Sequence, residues 1–193
     1  MAEATPSEPA RLLDYIRTRA AGLDATRLRA RVRAAAGELE AALAGLDEAD
    51  ARRQILAGEW TVAQVVDHVA QSTVRSAEEL RYLAAGRRPP GPPVYEALLS
   101  GAAHRVPWAE LTEGLRESTA ALDASLGEPP AASATGGVTA PAILFVVGPD
   151  GRSAPVLFTA ELTWAEYALV QRLHFLDHRS QIRALRAVLA GPA

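Results

Sequence analysis

The chain contains no cysteine, no lysine and no asparagine. Without cysteine it has no disulfide, no thiolate metal ligand and no cysteine nucleophile. Without lysine it has no Schiff-base chemistry, and its 20 basic residues are all arginine. The missing lysine and asparagine together point to a GC-rich coding sequence of the actinobacterial kind. Aromatic residues are also scarce, at 5%. The hydrophobic share of 49% is carried mainly by Ala and Leu, which favours helix. A net charge of −3 gives no electrostatic case for a nucleic-acid partner. No stretch has the charged start and apolar centre of a signal peptide, and none is apolar for long enough to span a bilayer. The expected location is the cytoplasm and the expected partner a small molecule. A length of 193 residues suits one domain with a sizeable core, expected over 10–190 behind a flexible leader, 1–9.

What is present is a series of amphipathic runs separated by Gly and Pro. Ala10 to Ala21 reads as a short helix, ended by Gly22-Leu23-Asp24. Leu28, Val32, Ala35, Leu39, Leu43 and Leu46 then recur at helical spacing and form one apolar stripe. Arg27, Arg29, Arg31 and Arg33 alternate beside that stripe, so they form no single basic face. Asp47 to Glu59 is a polar connection with room for one helical turn. Thr61 and Gln64 make a capping box that opens a second long helix, running to about Ala85. Gly86 to Pro93 must be loop, and Tyr95 to Ala103 reads as a short helix. Pro107 suits the first position of a third long helix ending at Leu126. After a Pro/Gly/Ala-rich segment, Ala142–Val147 and Pro155–Ala160 are β-prone, with Gly148-Pro149-Asp150-Gly151 as the turn of a hairpin. Thr163, with Glu166 three residues on, caps a last helix that reaches Leu189 without Pro or Gly.

Two of these helices carry histidine on a polar stripe. In the last helix His174 and His178 lie one turn apart on one face, with Tyr167, Gln171 and Gln181 near the same line. In the second long helix His68 shares a face with Gln64, Ser72, Arg75 and Glu79. Imidazoles at i and i+4 can chelate one cation, since their Cβ atoms are only ~5–6 Å apart. The other reading is a partly solvated face, or histidines hydrogen-bonded in the core. If the two helices are neighbours, three imidazoles converge, as metal sites on facing helices are built. Three nitrogen ligands suit Zn²⁺, Ni²⁺ or Fe²⁺ and leave positions open for water or substrate. Asp67 and Asp177 can hold ring N–H groups but sit off the stripe, so solvent exposure is the simpler expectation for both. Arg75 can anchor a substrate carboxylate, although an ion pair with Glu79 at i+4 is preferred. His104, in a loop, reads as a surface residue.

The ordered set Gly58-Glu59-Trp60-Thr61, His68, His174-x-x-x-His178 and Gln181-Ile182 resembles the DinB/YfiT-like superfamily of metal-dependent enzymes, over about Leu28 to Leu189. The resemblance implies an all-α fold, a four-helix bundle of up-down-down-up topology, here with a small β-hairpin before the last helix. It implies a divalent metal held by His68, His174 and His178, and often a homodimer. Some relatives act with bacillithiol, mycothiol or glutathione. The expected function is therefore thiol S-transfer with mycothiol as co-substrate; a metal-dependent hydrolase and a non-catalytic stress-response binding protein are the alternatives. Gln64, Arg75, Tyr167, Gln171 and Gln181 are the pocket candidates. The hairpin lies outside the family's minimal pattern, so the electrophile does not carry over.

Overall fold

The computed structural model describes residues 7–94, 96–131, 137–146 and 156–189. Among these are six α-helices: α1 (Glu8–Ala21), α2 (Ala25–Leu43), α3 (Glu48–Arg52), α4 (Val62–Ala84), α5 (Trp108–Leu126) and α6 (Trp164–Leu189). Two strands, β1 (Ala140–Val146) and β2 (Val156–Leu162), pair antiparallel. The expected turn at 148–151 lies outside the described residues.

The helix starts follow from local chemistry. Asp24 caps α2 by accepting from the Arg27 N–H. Thr61 and Gln64 form the full capping box of α4, and Thr163 and Glu166 exchange the same pair of bonds at the start of α6. α1 begins two residues before the expected start, because Ser7 caps it and Pro9 is tolerated in its first turn. The part of the expected leader from Glu8 onward is thus helical. Pro107 precedes α5 as its N-cap, with ψ 149°, so the helix starts at Trp108.

The expected helix over Tyr95–Ala103 is not formed among its described residues; only a single 3-10 turn, Ala102–His104, closes the segment. The cause is Asp67 on α4. Its carboxylate accepts from the Ser100 N–H (3.3 Å), the Ser100 hydroxyl (2.6 Å) and the Gly101 N–H (3.0 Å). Those N–H groups are then not available to an α-helical ladder. Gly101 turns the chain with φ 78°, a conformation that favours glycine.

α4 packs along α5 and α6, α2 packs along α6 and α5, and α1 covers α6 beside the hairpin. The core between them is aliphatic, with Leu28, Val32 and Leu39 from α2, Val65, Val66, Val69 and Leu80 from α4, Leu115 and Leu122 from α5, and Leu169, Phe175 and Ile182 from α6 all buried. Each such side chain contributes roughly 1.5–3 kcal/mol of burial. The stripes that bury these groups leave the polar lines of α4 and α6 facing one another, and this positions the site. No described helix is long and apolar enough to cross a membrane.

Candidate metal centre

α4 presents His68, and α6 presents His174 and His178 one turn apart. The Nε2 atoms of His68 and His174 are 3.1 Å apart, and those of His178 and His174 are 3.0 Å apart. All three ligand atoms lie within 4.8 Å of one another, so the group can hold a metal ion. Metal–nitrogen bonds of ~2.1 Å at angles between octahedral and tetrahedral separate two nitrogens by roughly 3.0–3.4 Å. The two short separations match such an edge.

The outer nitrogens decide what faces inward. His68 Nδ1 lies 3.2 Å from the Leu98 carbonyl, which can only accept. His178 Nδ1 lies 2.8 Å from the Gln181 Oε1. With these acceptors, both rings carry their proton on Nδ1 and turn the Nε2 lone pair toward His174. His174 Nδ1 is buried and has no hydrogen-bond partner among the described residues. If His174 also carries its proton on Nδ1, three lone pairs meet, an arrangement that a cation relieves. The donor set therefore fits a divalent ion.

The rings resist protonation. Burial, then the neighbouring His178, lowers the His68 pKa to about 4. Burial, followed by both other histidines, pushes His174 well below the ordinary value. Burial also lowers His178, against the opposing pull of Gln181 and Asp177. Neutral imidazole is the ligating form, so the site is prepared for a cation at neutral pH.

The supports differ from those expected. Asp67 is not solvated; it is buried, and it holds the loop that carries Leu98 rather than the His68 ring itself. Asp177 is exposed, and Gln181 takes the ring N–H of His178 instead. Trp60 packs on the His68 ring, with centroids 5.0 Å apart, and had not been singled out for this. His104 is exposed and stands outside the group, as expected of a surface residue.

The histidines open onto a cleft of about 710 Å³ between α4, α6 and β1. Arg75, Tyr167, Gln171 and Gln181 line it; Gln64 does not, because its carboxamide is spent on the Thr61 N–H at 2.9 Å. Arg75 pairs with Glu79 at 2.7 Å and donates to the Pro92 carbonyl at 3.2 Å. The Tyr167 hydroxyl donates to the other Glu79 oxygen. Burial and the adjacent Glu79 charge push the Tyr167 pKa up, so the phenol stays protonated. The Tyr167–Glu79 pairing spans 88 positions and had no signal in the sequence. Gln171 Oε1 is buried without a partner among the described residues.

Fold and site together define a mostly helical protein with a small antiparallel hairpin and a cleft floored by three converging neutral imidazoles. Residues 32–147 match the family model described as the mycothiol maleylpyruvate isomerase N-terminal domain. This covers more than half of the chain, which belongs to that family and, through it, to the DinB/YfiT-like superfamily. The match takes in His68 but stops short of α6, so the convergence with His174 and His178 rests on the geometry. No curated protein and no solved structure matches the chain.

Proposed function

We propose that the chain is a metal-dependent enzyme of low-molecular-weight thiol chemistry, an S-transferase with mycothiol as co-substrate, acting in the cytoplasm as a homodimer. In this reading α2, α4, α5 and α6 form an up-down-down-up bundle, and 10–190 is one domain behind a short leader. The observation that carries the proposal is the pair of ring orientations fixed by Leu98 and Gln181, which aims two lone pairs at the third imidazole. The family's name supplies the thiol.

His68, His174 and His178 would hold Zn²⁺, Ni²⁺ or Fe²⁺. A divalent cation there supplies Lewis acidity, which lowers the pKa of a thiol or water brought to the site. The chain's own groups do the rest. Leu98 and Gln181 keep the rings in the ligating tautomer. Tyr167 stays protonated, so it does not compete as a base, and Arg75 stays paired with Glu79. In transfer, the thiol sulfur forms a bond to an electrophilic carbon, the leaving group departs with its electron pair, and the thiol proton goes to solvent through the cleft mouth.

The test is metal content after loading with Zn²⁺, Ni²⁺ or Fe²⁺ and dialysis, followed by thiol conjugation with a panel of electrophiles. About one ion per chain is expected. His174→Ala should lose it and His104→Ala should keep it. Full retention of metal by His174→Ala refutes the site. Stoichiometric metal with no conjugation by mycothiol, glutathione or bacillithiol refutes the transferase reading while leaving the metal centre standing.

A further inference from the structure

We infer that the hairpin face above the histidines is the acceptor subsite, and that the electrophile it takes is uncharged and carries an apolar body. This deepens the thiol-transfer reading and rests on it. Side chains alternate along β1, so Ile143 and Phe145 point the same way, and the register sets Phe145 directly opposite Leu157 on β2. Ile143, Phe145 and Leu157 line the cleft that the three histidines floor. The hairpin's other face is already committed, since Leu144, Ala160 and Leu162 are buried in the core. The cleft-facing side chains are therefore not needed to hold the hairpin down. Phe145 and Leu157 remain 51% and 54% exposed at the mouth.

Charge on the remaining walls argues in the same direction. Arg75 is the cation among the described lining residues, and Glu79 already neutralises it. Glu59, Glu96 and Asp177 stand exposed on the cleft wall, so away from the histidines an anionic tail meets no unpaired cation among the described lining residues. Tyr167 is spent on Glu79, which leaves the Gln171 Oε1, together with the His174 Nδ1, as a buried, unpartnered polar atom among the described residues of the cleft. A ligand there gains mainly from apolar contact with the hairpin and from one carboxamide beside the histidines.

The experiment uses hydroxamates as metal-directed probes on the Zn²⁺-loaded protein, with affinity read by calorimetry, so that no turnover is required. Acetohydroxamate reports the metal alone. Hexanohydroxamate adds an apolar tail, and adipic acid monohydroxamate ends a tail of the same length in a carboxylate. Hexanohydroxamate should bind more tightly than acetohydroxamate by about two- to fourfold per added methylene. The carboxylate-tailed probe should lose most of that gain. The double variant Phe145→Ser with Leu157→Ser should bring hexanohydroxamate close to acetohydroxamate, whose own affinity should not change and which serves as the folding control. Equal affinities for the short and long probes in wild type, or a tail gain that survives in the double variant, overturns the inference with the metal site intact. Failure of acetohydroxamate to bind the Zn²⁺-loaded protein overturns the metal-site reading, and this inference with it.

Discussion

Replacing Asp67 with alanine tests how the site is held together. Asp67 touches none of the three converging histidine nitrogens, yet its carboxylate fixes residues 100 and 101 by three hydrogen bonds. Two residues before them, the Leu98 carbonyl takes the Nδ1 proton of His68. In Asp67→Ala the Ser100 and Gly101 N–H groups lose their acceptor in a partly buried turn, at roughly 1–3 kcal/mol each. The Ser100 hydroxyl can turn to other partners, and some water will enter. The expected loss of stability is about 2–4 kcal/mol, measured by urea unfolding of the metal-free protein. The loop then frees Leu98, and His68 loses the contact that sets its tautomer. Loss of such an outer contact typically lowers metal affinity about 10–100-fold. Competition with a chromophoric chelator for Zn²⁺ measures this directly. Stability lost on this scale with Zn²⁺ affinity within about twofold of wild type would refute the link between loop and ligand. Unchanged stability would refute the anchoring role itself.

Two further outcomes follow from buried groups of the same cleft. His68 titrates near 4 in the fold against 6.5 when unfolded, so the unfolded chain binds the proton first. Stability of the metal-free protein is therefore full above about pH 6.5 and falls as pH drops toward 4, by on the order of 2 kcal/mol from His68 after allowance for its partial exposure. The His68→Gln variant should show a shallower fall over that window in urea midpoints, and parallel curves would exclude the burial argument. Tyr167→Phe removes the hydroxyl that donates to Glu79, at a cost of about 1.5–3 kcal/mol for a bond to a charged acceptor. In absorbance titration at the tyrosinate band, the variant should retain every transition that wild type shows near pH 10, because Tyr167 does not ionise there; loss of a step in that range would contradict its burial beside Glu79.

Part of this structure can be read along the chain because the signals are local. Thr61 with Gln64 and Thr163 with Glu166 specify their own helix starts within four residues, and both capping boxes form. The polar stripes through His68 and through His174 and His178 follow from helical period alone. Arg75 and Glu79 pair at i+4, the reading preferred for them. The helix that fails to form does so where a distant group overrides local preference. The segment before Ala103 has helix-forming residues, yet a carboxylate more than 30 positions upstream takes its N–H groups.

The same division explains the site. Three imidazole identities are written in the sequence, because a candidate metal ligand needs a side chain of that chemistry. The contact that orients His68 is a backbone carbonyl, and any residue at position 98 would supply it. Such a contact leaves no trace in residue type; its trace is displaced onto Asp67 and Gly101, which shape the loop that delivers the carbonyl. Asp67 bears on the His68 environment although it does not line the cleft. A buried carboxylate adjacent in sequence to His68 need not contact the ring to determine its tautomer. Substitutions at 98 that keep the backbone path should leave Zn²⁺ affinity unchanged, whereas substitutions at 67 should not.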